Sequence, residues 1–201
     1  PSDRVQNNMI GACLMAHPQL VADCINAMQD ATKIDVTIKH RIGIDDQDSY
    51  EEMRDFVGTV ANTGCKTFIV HARKAVLQGL SPKENRDVPP LRYDDVYRLK
   101  QEFPQLEIII NGGIKTHEQI AEIMPYVDGV MLGREAYQNP SVLLDADHLY
   151  FGGEKSDVSK ADRIRAMYPY VEELLGKVAS LHYISRHTLG LFNGEQGARQ
   201  Y

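Results

Sequence analysis

Polar side chains follow several short apolar segments of this sequence, each at the point where the segment ends. Lys39 ends "DVTIK", His71 ends "FIVH" and Asn111 ends "EIIIN". An ammonium at the end of a buried segment must be paired or lie near an anion, although a lysine paired with a nearby carboxylate is the simpler interpretation of any single case. At one shared site, an ammonium and an imidazole could stabilise a ring that gains negative charge, such as a reduced flavin.

Glycine marks the ends of two consecutive segments. Gly112 and Gly113 follow Asn111, and Gly133 precedes Arg134. A glycine at a strand end permits positive φ or a close approach to the backbone, and backbone N–H groups beside a guanidinium suit a phosphate. A tight turn would explain one such pair, but two in succession are typical of the phosphate site of barrel enzymes. They favour a phosphorylated cofactor.

The elements that must position these residues are predicted to be parallel strands. The apolar segments alternate with stretches of helical spacing, such as "SYEEMRDFVGTV" and "DDVYRLKQEF", and this alternation indicates βαβ units. Such units form either a doubly wound sheet or a barrel, and both carry their sites at the carboxyl ends of the strands. Since a complete barrel takes about 250 residues, we expect an α/β fold with the C-terminal half of a TIM (β/α)8 barrel. The four strand segments are residues 34–43, 66–74, 106–114 and 127–136.

The composition changes after the fourth segment, which predicts a second domain. Charged residues and two glycines mark a linker, and Ser159 can cap the helix that follows. Pro169 should kink or divide that helix. We predict a half-barrel at 1–145, a linker at 146–158 and an incomplete helical domain at 159–201.

Composition and charge exclude some classes of protein. The net charge is −6, which gives no global signature of nucleic-acid or membrane binding. No apolar run approaches the roughly 18 residues of a membrane span, and the first residues given lack the basic and apolar regions of a secretion signal, so we expect a cytoplasmic location. The three cysteines (Cys13, Cys24 and Cys65) are predicted to be reduced and mostly buried, without a disulfide or a metal site. Cys13 is interpreted as an inert packed thiol and not as a nucleophile.

A long proline-rich segment at 75–92 carries basic residues beside the predicted mouth of the site. Lys83 and Arg86 lie in "GLSPKENRDVPP", and Arg199 follows much later in the chain. Long loops of this kind are usually functional or disordered. A solvated charged loop is the simpler interpretation, and contact with a phosphate backbone is the alternative.

Several motifs resemble those of one enzyme family. "RIGIDDQDSYE", "FIVHARKA", "GLSPKENR", "INGGI", "DGVMLGREAYQNP" and "ISRHTLGLFNGEQGAR" follow the order and spacing of bacterial tRNA-dihydrouridine synthases of the A type. The resemblance extends from Pro1 to Tyr201. It implies an FMN-containing barrel with a helical domain, which uses NADPH to reduce D-loop uridines of tRNA to dihydrouridine. In that reaction the flavin delivers hydride to C6 of uracil, and a cysteine protonates C5.

The resemblance also implies roles for individual residues. Those that would contact the isoalloxazine are Lys39 and His71. Those that would hold the ribityl-phosphate end of FMN are Asn111, Gly112, Gly113, Gly133 and Arg134. Those that would contact tRNA are Lys83, Arg86 and Arg199. The aromatic and basic face of the helical domain would assist them.

The sequence departs from the family pattern at its beginning. In the family, the general-acid cysteine directly precedes "PSD", whereas this sequence starts at Pro1. We therefore expect a fragment of the enzyme that is inactive by itself. The full-length enzyme is expected to be a monomer. The open strand edges of a half-barrel predict that the fragment either dimerises or is ordered by segments absent from this sequence.

Three other functions fit parts of the pattern. One alternative is a different FMN barrel oxidoreductase, similar to a dihydropyrimidine or dihydroorotate dehydrogenase. The basic loop and the helical tail argue against it. An aldolase would use Lys39 in a Schiff base, which borohydride would trap. An RNA-binding module without catalysis would bind tRNA in a salt-dependent manner without flavin.

Overall fold

A parallel sheet is the central element of the computed structural model, which describes residues 7–177 and 180–198. Its four strands lie in the order β1-β2-β3-β4, all parallel. Helices alternate with the strands along the chain, so the predicted α/β class is confirmed. The strands are β1 (Ile38–Arg41), β2 (Thr67–His71), β3 (Glu107–Asn111) and β4 (Gly129–Met131).

The helices are short, and several 3-10 turns connect them. The α-helices are α1 (Pro18–Ala31), α2 (Tyr50–Ala61), α3 (Glu84–Asp87), α4 (Tyr93–Glu102), α5 (His117–Ile123), α6 (Arg134–Gln138), α7 (Ala146–Tyr150), α8 (Lys160–Ala166), α9 (Tyr168–Leu175) and α10 (Leu181–Ser185). The 3-10 helices are Gly11–Ala16, Met124–Tyr126, Pro140–Leu143 and Leu189–Phe192. No helix in the described part of the chain is long and apolar enough to cross a membrane.

The register of the sheet places the last residues of neighbouring strands side by side. Arg41 pairs with His71, and His71 pairs with Asn111. Lys39 pairs with Ile69, two residues before the end of β1, so the prediction that Lys39 ends its strand is wrong. The strand continues because its pairing with β2 runs on to Arg41, and the next residue, His40, is buried behind the sheet.

The core lies on the face of the sheet opposite Lys39 and Asn111. Side chains alternate between the two faces of a strand, and the residues on the core face of β2 and β3 are fully buried. The apolar residues at helical spacing in α2 and α4 are buried as well. The core-face strand residues are Phe68, Val70, Ile108 and Ile110, and the helical ones are Met53, Phe56, Val57, Val60, Val96 and Leu99.

The chain divides into two compact units. The first contains the sheet and comprises the chain up to Ile114 together with Glu118–Met131, and the second comprises Lys115–His117 and the chain from Leu132 onward. The predicted domain boundaries at 145 and 159 remain a prediction.

The helical pattern predicted for the second unit is confirmed where it is described. The Oγ atom of Ser159 accepts a hydrogen bond of 3.1 Å from the backbone N–H of Asp162 at the start of α8. α8 gives way to α9 at Met167, with Pro169 near the start of α9. Proline fits there because the first helical N–H groups have no acceptor within the helix.

The three cysteines differ in their burial. Cys65 is buried, its Sγ atom lies 3.3 Å from the Val36 carbonyl oxygen, and burial raises the pKa of its thiol. Cys24 is exposed and Cys13 is partly exposed, so the prediction of mostly buried thiols is wrong. α1 buries a narrow stripe that contains Ile25, and Cys24 lies outside that stripe.

One buried histidine makes the fold sensitive to acid. His40 is 6% exposed, and its ring lies 5.3 Å from that of Phe56 and 6.1 Å from that of Phe68. Its Nδ1 atom donates to the Arg41 carbonyl oxygen at 2.6 Å, whereas Nε2 has no partner among the described residues. Burial lowers the pKa of His40 from 6.5 to about 4, because the charged form cannot be solvated there.

We expect the free energy of unfolding to fall as the pH drops from 6.5 to about 4. In this range the unfolded chain binds a proton at His40 and the folded chain does not. This difference lowers the free energy of unfolding by about 3 kcal/mol over the whole range. Denaturant unfolding at several pH values measures the slope. His40→Asn should lose this part of the slope, and the exposed His17→Asn should keep it. Equal slopes for both variants would contradict the role of His40.

Candidate functional site

A hydrogen-bonded bridge crosses the sheet at the carboxyl edge of its strands. Lys39 Nζ donates to Asn111 Oδ1 at 2.9 Å, and Asn111 Nδ2 donates to the Met131 carbonyl oxygen at 2.8 Å. Because an ammonium only donates and a carbonyl only accepts, these partners fix the orientation of the amide. The bridge therefore holds Lys39 and Asn111 on one face of the sheet.

The Lys39 ammonium has an amide partner in place of a carboxylate. Among the described residues, no carboxylate oxygen lies within ion-pair distance of its Nζ atom. Partial burial, and then the positive charge of Arg41, lower the pKa of Lys39. Lys39 is still accessible to solvent, and a cation that is partly desolvated and repelled in this way gains from an added anion. The simpler interpretation of a lysine paired with a carboxylate is wrong.

The glycine pair after β3 holds His71 in place. Gly112 has φ +126°, and a Cβ atom there would lie 2.8 Å from His71 Cδ2. Gly113 has φ +73°, and its Cβ atom would lie 2.7 Å from Leu91 Cδ1. The Tyr93 hydroxyl donates to the Gly112 carbonyl oxygen. Both glycines thus satisfy a positive φ and close packing, and the turn forms a surface against the His71 imidazole.

Gly133 and Arg134 lie in the second compact unit. Gly133 has φ −115°, and no atom of the described chain lies within 4 Å of a Cβ atom built there. Arg134 is exposed at the start of α6. The structure thus brings Lys39, His71 and the Asn111 turn together at one sheet edge, and the membership of Gly133 and Arg134 in that site stays a prediction.

A cavity of about 410 Å³ adjoins β1 in the first unit. Its polar lining includes Lys39, Arg41 and His71, and apolar side chains such as Leu14 and Met28 line much of the rest. This volume falls within the range of about 300–1,000 Å³ for small-molecule sites. His40 and Phe56 of the core face also line it, so the cavity lies along β1 and offers space beside the Lys39 and Arg41 cations.

The segment 75–92 has a defined conformation around one buried side chain, Asn85. This residue is fully buried, and its Oδ1 atom accepts from the Val76 N–H at 2.7 Å. Its Nδ2 atom donates to the carbonyl oxygens of Val76 at 2.9 Å and Leu80 at 3.2 Å. The flanking Lys83 and Arg86 are exposed. Asn85 therefore fixes the backbone that presents these two basic side chains.

Sequence reasoning missed Asn85. It selected Lys83 and Arg86 for their charge and overlooked the polar residue between them. The available signal was the residue type, since an asparagine in a proline-rich loop commonly bonds to nearby backbone groups. Nothing in the local sequence distinguishes a buried asparagine from an exposed one.

One carboxylate anchors both ends of this loop. Asp48 Oδ2 lies 3.1 Å from Lys74 Nζ and 3.2 Å from Arg92 Nη1. Arg92 also pairs with Asp95 at 2.5 Å. All four side chains are partly shielded from solvent, so this network is screened less than isolated surface pairs. Arg199, the third predicted tRNA contact, lies outside the described residues.

Comparison with known proteins identifies the family. The dihydrouridine synthase family matches residues 1–201. The chain belongs to the dihydrouridine synthase family. It is 59% identical over 201 residues to a tRNA-dihydrouridine(20/20a) synthase of Pseudomonas syringae pv. tomato. It is 57% identical over 202 residues to the proteins of that name from Salmonella typhimurium and Escherichia coli K12. Each match covers 100% of this chain.

The chain spans about 60% of the length of these relatives. The family resemblance predicted from the motifs is confirmed, and dihydrouridine synthases are flavin-dependent oxidoreductases. The four parallel strands and their helices agree with one half of the family's barrel. Family membership argues against the aldolase and the dehydrogenase-like alternatives.

We expect Asn85→Ala to loosen the loop at 75–92. The change leaves buried backbone groups without partners, at a cost of about 1–3 kcal/mol for each group. Amide hydrogen exchange of residues 76–85 should accelerate. The exposed Asn62→Ala on the same unit is the control and should leave that exchange unchanged. Unaltered protection in Asn85→Ala would show that the amide does not hold the loop.

Gly112→Ala should destabilise the chain more than Gly64→Ala. Both glycines have positive φ, but a Cβ atom added at Gly64 would meet no atom within 4 Å, whereas one added at Gly112 would meet His71. The two variants share about 1–3 kcal/mol of backbone strain, and only Gly112→Ala adds the steric contact, worth a further 1–3 kcal/mol or so. Thermal unfolding compares them, and equal losses of stability would contradict the packing of His71 on the turn.

Proposed function

We propose that this chain supplies the flavin-holding sheet edge and a tRNA-contacting loop of an enzyme that reduces tRNA uridines 20 and 20a, the positions that appear in its relatives' names. FMN is the proposed cofactor and NADPH the proposed reductant. The observation that carries the proposal is the Lys39 ammonium, bonded to Asn111 and without a carboxylate partner among the described residues. It lies where α/β proteins bind their ligands.

The donor groups at this edge fit a flavin ring. Lys39 offers an ammonium and His71 an imidazole, and oxidised and reduced flavins both present carbonyl oxygens and ring nitrogens to such donors. Bound FMN, once reduced by NADPH, would supply hydride to the uracil ring. The role of Lys39 is to stabilise negative charge at the ring, and Asn111 holds the ammonium in position for it.

The phosphate end of FMN is assigned to the two glycine-containing strand ends. Gly112 and Gly113 form the turn next to Asn111, with Gly113 exposed, and a Cβ atom built at Gly133 would meet no atom of the described chain within 4 Å. Arg134 offers an exposed guanidinium that could pair with the phosphate in a bidentate manner.

The tRNA contacts are assigned to the basic loop. Lys83 and Arg86 are exposed on a backbone that Asn85 fixes, and basic side chains held in this way position a phosphate backbone. Arg199 is the third proposed contact. A net charge of −6 for the chain does not oppose this role, because counterion release depends on the local cations at the interface.

Unmodified tRNA tests this function. The full-length enzyme, incubated with FMN, NADPH and tRNA that lacks dihydrouridine, should form dihydrouridine at positions 20 and 20a, as detected by mass spectrometry of nuclease fragments. Unreduced uridine at both positions would contradict the proposed reaction. Tight tRNA binding by a colourless protein would favour the non-catalytic RNA-binding alternative.

Lys39→Met should slow uridine reduction by the full-length enzyme about 100-fold, the usual effect of removing one group that stabilises developing charge. Lys33→Met removes an exposed lysine of the same unit and should leave the rate unchanged. Single-turnover reduction of tRNA by the pre-reduced enzyme measures the step itself. A wild-type rate for Lys39→Met would contradict the role of the ammonium.

A further inference from the structure

Two arginines hold the loop on either side of Arg86. Arg41 Nη1 donates to the Asn85 carbonyl oxygen at 2.8 Å. Arg73 Nη1 donates to the Asp87 carbonyl oxygen at 3.3 Å. These carbonyls belong to the residues immediately before and after Arg86, so the backbone at Arg86 is fixed from both directions.

Each arginine also reaches a second point on the loop. The Arg41 Nη1 atom lies 3.2 Å from the Lys74 carbonyl oxygen, and Arg73 Nη1 also donates to the Pro89 carbonyl oxygen. Arg41 thereby joins the start of the loop to α3, and Arg73 joins α3 to the proline pair that follows it. Backbone acceptors hold a chain segment more firmly than mobile side chains do, since they have no rotamer freedom.

The two arginines arise from the same strand ends as the proposed flavin contacts. Arg41 follows Lys39 by two residues in "KHR", and Arg73 follows His71 by two residues in "HAR". Arg41 is the last residue of β1, and its pairing partner in the sheet is His71. Each strand end thus carries one residue toward the proposed flavin site and one toward the loop.

The charges in this region repel one another. Burial lowers the pKa of Arg41 to about 10, and the nearby positive charges of Arg73 and Arg86 add to the effect. Three guanidinium groups are therefore close enough to interact. Carbonyl oxygens offset part of the repulsion, and an approaching phosphate would offset more.

We propose that Arg41 and Arg73 are positioning residues for tRNA binding. They clamp the backbone on both sides of Arg86, so that its guanidinium meets the phosphate backbone in a preset orientation. The loop then loses its conformational entropy during folding, and this loss does not weaken the affinity for tRNA. This inference rests on the proposed contact between Arg86 and tRNA.

A double-mutant cycle in the full-length enzyme tests the clamp. The variants are Arg73→Gln, Arg86→Gln and the double variant, and the measurement is the Kd for unmodified tRNA at one fixed salt concentration. If Arg73 acts through Arg86, each single variant weakens binding about tenfold and the double variant stays within about twofold of Arg86→Gln. Arg41→Gln in place of Arg73→Gln gives a second cycle with the same expected result.

Further variants and measurements distinguish the clamp from a loss of total charge and from general unfolding. Arg54→Gln removes a partly exposed arginine from α2 and should leave the Kd unchanged, which controls for total charge. The rate of flavin reduction by NADPH should be unchanged in Arg73→Gln while the KM for tRNA rises, a split that general unfolding would not give. Should Arg73→Gln fail to fold, Arg73→Lys replaces it in the double-mutant cycle with Arg86→Gln. Arg73→Lys keeps the positive charge but loses the guanidinium geometry.

The outcomes separate this inference from the proposed function. Independent effects that multiply to about 100-fold in the double variant would mean that Arg73 binds tRNA by itself, and would overturn the clamp alone. An unchanged Kd for Arg86→Gln would overturn the proposed tRNA contact, and the clamp with it. Single variants that each weaken binding about tenfold, with a double variant close to Arg86→Gln, would support both, whereas an unchanged Kd for Arg73→Gln would overturn the clamp alone.

Discussion

The parallel register of β1, β2 and β3 is the constraint on which the site depends. It places Arg41, His71 and Asn111 at one level and fixes which side chains face the core. Because side chains alternate with a period of two, a shift of one residue would exchange the two faces of a strand. Lys39 would then enter the core and His40 would leave it. Burial of the apolar core face thus secures the register, and the register secures the site.

The same strand ends connect the site to the basic loop. Asp48 ties both ends of the loop to the sheet unit, Asn85 fills its interior, and the guanidinium groups of Arg41 and Arg73 hold its carbonyls. A loop that lacks an apolar core of its own is held here by polar bonds to its backbone, although the Nε atom of Arg73 is buried without a partner among the described residues. The residues proposed to hold the flavin and those proposed to contact tRNA are therefore held by the same strand ends, those of β1 and β2.

The sequence predicted the elements well because apolar periodicity and strand-ending glycines are local signals. The buried positions of α2 and α4, the positive φ of Gly112 and the helix break near Pro169 all follow from such signals. The failures come from residues whose environment is set by distant parts of the chain. His40 has a polar side chain but lies in the core, which concealed the true end of β1. Asn85 is buried by contacts that its neighbours in sequence do not reveal.

The central claim is that Lys39, His71 and Asn111 form the edge that holds the flavin. The most direct measurement is a crystal structure of the full-length enzyme grown with FMN. We expect the isoalloxazine to lie against this edge, with Lys39 Nζ within hydrogen-bond distance of the ring and His71 in contact with it. Flavin density at another place in the protein, with Lys39 and His71 making no contact to it, would contradict the claim.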